Sequence, residues 1–342
     1  MAPRYEERVV PFTARDGFAL NLINVRDPDR CDRGPVLLVH GAGVRANLFR
    51  APVKTNIVDA LVAAGYDVWL ENWRASIEFA PNPWTLDQAA AYDHPAAVET
   101  VVQETGRERI KAIIHCQGST SFAMSAVAGL IPQVETIISN AVSLHPVVPL
   151  WSAAKLRFAV PCVELLTSHF DCQWGNHTDG FVPWLLTSLV RLSHHECDNT
   201  VCKLVSFTYG SGFPALWRHE NLNPETHDWI SREFAHVPLT FFRQMARCVA
   251  RGRLVATEKL PGLFDDYTAQ PPQTDARFAF LTGEKSGCFL TESQARSHEF
   301  LSRFRPNFHT LHRLPNYSHL DPFIGQSAAD DVFPLILREL ES

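Results

Sequence analysis

The chain has 342 residues, with 31 Lys and Arg against 37 Asp and Glu, a formal net charge of -6 and a pI near 6.2. That balance excludes a general binder of nucleic acid or of an anionic membrane face, because both partners need basic surface. The length suits one α/β domain with an insertion or two modest domains, and 8 scattered cysteines in so long a chain read as free thiols rather than a disulfide framework.

Met1 to Val10 is charged and lacks an apolar leader segment, and no run of about 18 apolar residues is present to span a membrane. The expectation is a cytoplasmic protein without stable membrane insertion. Two alternating stretches, up to Ala14 and from Phe18 to Val25, flank Arg15-Asp16-Gly17 and predict a β-hairpin with an Asp-Gly turn. Pro35-Val-Leu-Leu-Val-His40 is continuously apolar, as in a strand covered on both faces. It runs into His40-Gly41-Ala42-Gly43, a loop able to aim backbone N–H groups at a developing oxyanion. Asn56 to Ala64 predicts a helix, Tyr66 to Asn72 a strand and Asp87 to Glu104 a long helix.

Arg109 to Ala126 then reads as a short strand feeding directly into a small-residue helix, with Cys116 at the junction. This is the layout of a nucleophile elbow, although Ile114-His115-Cys116-Gln117-Gly118 keeps only the last Gly of the Gly-x-Ser-x-Gly pattern. A thiolate is the stronger nucleophile, and the N-terminus of the following helix is expected to lower its pKa. The alternative is a buried structural cysteine at a strand end. Val134 to Ala141 predicts one more strand, and alternating strands and helices after a hairpin imply a mostly parallel sheet with helices on both faces.

From about Leu144 to Gln273 the alternation stops, and prolines and aromatics lie among helical stretches. The division expected is a core in two parts, 1–145 and 274–342, with a helical cap at 146–273 enclosing a lipophilic substrate. Most cap aromatics should be the cap's own core. His194-His195-Glu196-Cys197 with Cys202 invites a zinc reading, but the spacing does not support it. A surface loop or a local Cys197–Cys202 contact is expected there, with no metal and no cofactor anywhere. Arg277 to Gly283 restores the sheet, Thr310 to Pro315 is the last strand, and Ala328 to Glu341 a closing amphipathic helix.

Ala64 to Asn72, Asp93-His-Pro-Ala-Ala97, Gly106 to Ile110, His115 to Thr120 and Leu314-Pro-Asn-Tyr-Ser-His-Leu-Asp-Pro-Phe323 resemble successive landmarks of the acid lipase branch of the α/β-hydrolases. Cys197-Asp-Asn-Thr-Val-Cys202 and Asn221 to His227 are similar to hydrolase domains joined to glucose-methanol-choline oxidoreductases. The resemblance implies an α/β-hydrolase fold, hydrolysis of a lipophilic ester, and a functional link to an oxidoreductase. It places a catalytic His at His319 and shows Ser286 where the family usually has its triad Asp.

Glu284 in the same loop is the first candidate to orient His319, with Asp265 and Asp266 as fallbacks. A thiolate–imidazolium pair depends less on that acid. Cys116, His319 and Glu284 are thus the expected catalytic residues. Gln117 with Ala42 or Gly43 would supply the oxyanion donors. The reaction expected is acyl transfer through a thioester, to water in a hydrolase or to another acceptor in an acyltransferase, including the polyester-synthase type. A non-catalytic binding protein on the same fold stays open, as does the oligomeric state.

Overall fold

The computed structural model describes residues 5–195 and 197–342. Residues 1–4 of the charged start, and Glu196 of the weighed zinc motif, lie outside that range. The hairpin forms as β1 (Glu6–Thr13) and β2 (Ala19–Arg26), paired antiparallel. β2 pairs antiparallel with β4 (Asp67–Asn72), and from there the strands are parallel. With β3 (Pro35–Val39), β5 (Ile110–His115), β6 (Val134–Asn140), β9 (Arg277–Gly283) and β10 (Thr310–Leu314), the sheet order is β1-β2-β4-β3-β5-β6-β9-β10. Every residue of β3 and β4 is buried; β3 accordingly reads as an unbroken apolar run, whereas β4 carries Asp67, Glu71 and Asn72, which are buried with polar partners.

The helix that follows β5, Cys116–Val127, is buried along its whole length, and small residues let it pack that closely. Its hydroxyls find partners rather than water: Ser125 donates to the Ala90 carbonyl (2.7 Å), and Ser121 meets His94 Nε2 at 2.7 Å. His94 in turn contacts Glu71 on β4 at 3.0 Å, so a buried polar chain fixes this helix to the sheet. The predicted closing helix is two pieces, Ala328–Asp331 and Phe333–Glu341. Pro334 explains the break, since it has no N–H to continue a helical ladder.

Between β6 and β9 the alternation does stop. Helices Leu150–Ala154, Phe181–Ser193, Thr200–Tyr209, Pro224–Trp229 and Leu239–Arg251 are joined by β7 (His169–Asp171) and β8 (His236–Pro238), a small antiparallel pair not anticipated from sequence. Polar ties hold this inserted segment to the sheet domain. Arg45 makes a two-pronged pair with Glu233, and the Asp87 carboxylate accepts from the Thr257 hydroxyl (2.6 Å), the Thr257 N–H and the Glu258 N–H. Of the aromatics expected to form a local core, Phe170, Trp217, Phe234, Phe241 and Phe242 do so, whereas Phe158, Phe181 and Trp184 stand 65%, 70% and 56% exposed.

Candidate active site

The strand-to-helix junction puts Cys116 at a φ of +54°, a left-handed conformation that a non-glycine residue adopts at a cost. Two glycines make the turn possible by letting backbones meet. A Cβ on Gly118 would lie 2.2 Å from the His40 carbonyl oxygen, and one on Gly41 would lie 2.9 Å from Cys116 Cβ. The end of β3 is thereby pressed against the nucleophile, and the Trp73 indole also holds the His40 carbonyl at 2.9 Å.

Cys116 Sγ receives the backbone N–H groups of Gln117 and Ala42. These are two of the three positions singled out in sequence as oxyanion donors. Gly43 does something else: at φ +67°, its missing Cβ leaves room for Tyr209 Oη (2.3 Å from where a Cβ would sit) and Val237. Tyr209 donates from there to the Ala42 carbonyl (3.3 Å), holding the peptide that presents the donor loop.

His319 reaches the same point from the loop after β10. Ligand-capable atoms of His115, Cys116 and His319 all lie within 4.8 Å of one another, with the two imidazole rings 4.8 Å apart and Phe289 packed 6.0 Å from His319. Burial pushes the Cys116 thiol up to about 12 despite its two N–H partners, and pushes His319 down to about 3. The expected lowering of the thiol by the helix N-terminus is therefore overturned: desolvation outweighs the dipole. The resting pair is a neutral thiol facing a neutral imidazole, which suits a general base better than a preformed ion pair.

Among the described residues no carboxylate orients that imidazole. Both ring nitrogens of His319 are without a hydrogen-bond partner among the described residues. Glu284 is exposed, and its backbone N–H is committed to the Leu314 carbonyl (3.0 Å). The β9 loop instead joins the His319 loop through main-chain contacts. A Cβ on Gly283 would sit 2.2 Å from the Ser318 carbonyl oxygen, and the Lys285 N–H binds the Tyr317 carbonyl. Ser286 Oγ accepts from the Cys288 N–H (3.4 Å) and its own N–H binds the Gly283 carbonyl (3.3 Å), both within the loop. Asp266 is paired with Arg253 at 2.6 Å and Asp265 is exposed. The structure brings none of these three acids to His319.

Three positioning residues escaped the sequence reading. Asn140, ending β6, donates from its amide to His115 Nδ1 (2.9 Å) and the His319 carbonyl (3.1 Å). His115 itself stands beside the nucleophile with its pKa lowered, first by burial and then by His319. Asp321 is buried and accepts from the Ser318 N–H (2.8 Å), the Asn221 amide (2.7 Å) and the Arg218 N–H (3.1 Å), closing the turn that carries His319. Burial raises its carboxyl to about 6. The signal for Asp321 was present in the His-Leu-Asp sequence; that for Asn140 was not, because only the fold joins β6 to the loop.

A cleft opens over Cys116 whose empty space, counted to its open mouth, is about 850 Å³. Its walls are overwhelmingly apolar, with Leu156, Phe170, Phe207, Phe241, Phe242 and Met245 all contributed by the inserted segment. Lys155 is a rare charge in the wall. Burial lowers it to about 8, and its ammonium is turned away onto the Phe207 and Gly210 carbonyls at 2.6 and 2.5 Å.

Cys197 and Cys202 do meet, but with His219 and His227, and ligand atoms of all four residues lie within 4.8 Å of one another. These four residues come from segments that no local sequence spacing links. His194, which was in that motif, packs instead against Phe213 with ring centres 4.4 Å apart.

No family model matches the chain. Mouse (Mus musculus) lipase member K is 24% identical, covering 95% of this chain and 85% of its own. Sterol esterase 2 of Saccharomyces cerevisiae is 24% identical over 50% of this chain and 36% of its own. Among solved structures, the esterase EaEST of Exiguobacterium antarcticum aligns with a TM-score of 0.57 over 97% of this chain and 99% of its own, at 12% identity. The fold is that of the α/β-hydrolases, and the sequence is homologous to lipases and esterases.

Proposed function

We propose that this chain, an α/β-hydrolase-fold protein with lipase-like homology, is a Cys-dependent hydrolase of a lipophilic ester, lactone or thioester. The observation that carries the reading is one arrangement: Cys116 Sγ between two backbone N–H groups and within 4.8 Å of a His319 ring nitrogen, at the foot of an apolar cleft. Esterases and lipases among the similar proteins support the substrate class.

In this mechanism His319 takes the thiol proton as Sγ attacks the carbonyl carbon, and the carbonyl π-electrons move onto oxygen. The N–H groups of Ala42 and Gln117 hold that oxyanion. Collapse breaks the bond to the leaving alkoxide, which takes the proton from His319, and leaves a thioester on Cys116. Water then attacks that thioester, giving its proton to His319 and returning it to the departing sulfur. The base works as a dyad partner, held by Asn140 and Asp321 through its backbone loop rather than by a carboxylate on its ring.

Under this reading the inserted segment, residues 146–273, is a cap that excludes water and supplies the acyl-binding wall. Water exclusion is also what favours the second reading, an acyltransferase in which an alcohol or amine resolves the thioester. Among the described residues no cysteine is in a disulfide, which fits a reducing, cytoplasmic setting. No helix among the described residues is long and apolar enough to cross a membrane. The link to an oxidoreductase acting on the same lipophilic substrate belongs to the proposal as well, and would be supported by such an enzyme being encoded beside this one.

The test is hydrolysis of a chain-length series of p-nitrophenyl esters by wild type and Cys116→Ala, with and without an added alcohol or amine. Hydrolysis rising with chain length and absent in Cys116→Ala supports the hydrolase. Product formed only with the acceptor moves the assignment to the transferase. Unchanged ligand binding without turnover in either protein makes it a binding protein.

A further inference from the structure

We propose that Cys197, Cys202, His219 and His227 form a closed four-ligand zinc site that ties together four pieces of the inserted segment, one of them flanked by the residues that hold the loop carrying His319. The four residues come from separate pieces of backbone: the loop before helix Thr200–Tyr209, the first turn of that helix, the short turn His219–Asn221 and helix Pro224–Trp229. No single local interaction requires their side chains to converge, yet ligand atoms of all four lie within 4.8 Å of one another. Cys197 contacts the Cys202 thiol and both imidazoles.

The distances and the donor chemistry agree on the ion. Zinc bonds of about 2.3 Å to sulfur and about 2.0 Å to nitrogen, set tetrahedrally, place neighbouring ligand atoms roughly 3.3 to 3.8 Å apart. Cys202 Sγ stands 3.5 Å from His219 Nε2. Among the described residues His227 Nε2 is buried without a hydrogen-bond partner, an arrangement that costs free energy unless something fills that lone pair. Among the described residues the donors are two thiolates and two neutral imidazoles, a set that selects zinc over magnesium or calcium. Four protein ligands leave no open position for substrate, so the site is structural.

Contacts around the ligands fit that role. The Asn199 side chain caps the helix at the Cys202 N–H (3.0 Å), while its carbonyl accepts from the Cys197 thiol (3.8 Å), a bond given up when that thiol loses its proton to bind the ion. Cys202 therefore sits in a first helical turn, where a thiolate is stabilised. Loading the ion releases the two thiol protons, and the ion and its ligands together are then uncharged.

The site also bears on the active centre. Residues beside His219 hold the His319 turn: the Arg218 N–H and the Asn221 amide both bind Asp321, Asn221 reaches the Asn316 carbonyl (2.8 Å), and the Leu320 N–H binds the Leu216 carbonyl (2.8 Å). Loss of the ion is expected to loosen that turn, lowering kcat more than it raises KM.

The experiment is elemental analysis of the full chain purified without a polyhistidine tag, beside Cys197→Ser, His227→Ala and Cys116→Ala. One zinc per chain is expected in wild type and in Cys116→Ala, and none in the other two. Replacement by cobalt in wild type should give thiolate-to-metal absorption that a chelator removes together with several degrees of thermal stability. That readout serves even if the variants fail to fold. Folded wild type holding less than about a tenth of an equivalent after incubation with zinc would overturn the proposal. So would zinc kept by Cys197→Ser and His227→Ala, or lost with Cys116→Ala, the last placing the ion at the His115-Cys116-His319 cluster.

Discussion

The two sides of the cleft are built by different means. Below Cys116, the sheet side is set by backbone meeting backbone, with glycines at 41, 118 and 283 admitting contacts that any side chain would block. Above it, the inserted segment is set by side chains: the Arg45–Glu233 pair, the Asp87 cluster and the Cys/His group. Chemistry needs the first kind of precision, since an oxyanion donor displaced by an ångström loses most of its effect. Substrate choice tolerates the second kind, and apolar walls of Leu, Phe and Met repack readily.

If the sheet side carries the chemistry, its variants should cost activity or folding outright. His319→Ala is expected to lower kcat about 10²- to 10⁴-fold while the protein stays folded, measured by ester turnover and calorimetry. Gly118→Ala drives a methyl group into the His40 carbonyl and is expected to cost about 3 kcal/mol or more, read from denaturant unfolding. An alanine accepted there without loss would mean that β3 does not press on the elbow.

The same side dominates the pH response. Burial holds His40 and His319 down at about 3, and His145 and His309 at about 4. In the unfolded chain these imidazoles titrate near their ordinary value of about 6.5, so below it the unfolded state binds more protons. Their contribution is complete above about pH 6.5 and is lost as pH falls towards 4 and 3, giving a Tm drop of roughly 5 °C or more between pH 7 and 5. Turnover should persist over that interval wherever the protein stays folded, because His319 remains neutral. The smallest effect is expected from Glu284→Gln, with kcat within about twofold of wild type. A large loss there would return the exposed carboxylate to the catalytic group.

Legibility in sequence follows the same division. Runs such as Pro35 to Val39 and the Cys116 junction are visible because strand burial and a tight turn each restrict residue type locally. Asn140 meeting His115, or His227 meeting Cys197, depends on segments far apart in the chain and leaves no local pattern. The thiol pKa failed for a related reason. The helix dipole is readable from sequence, but the burial that outweighs it is not.

The most direct test of the central claim is intact-protein mass spectrometry after mixing wild type and Cys116→Ala with activated acyl esters. Wild type is predicted to gain the mass of one acyl group, located at Cys116, with no gain in Cys116→Ala. Equal acylation of both proteins, or turnover by Cys116→Ala, would contradict a thioester mechanism at this elbow.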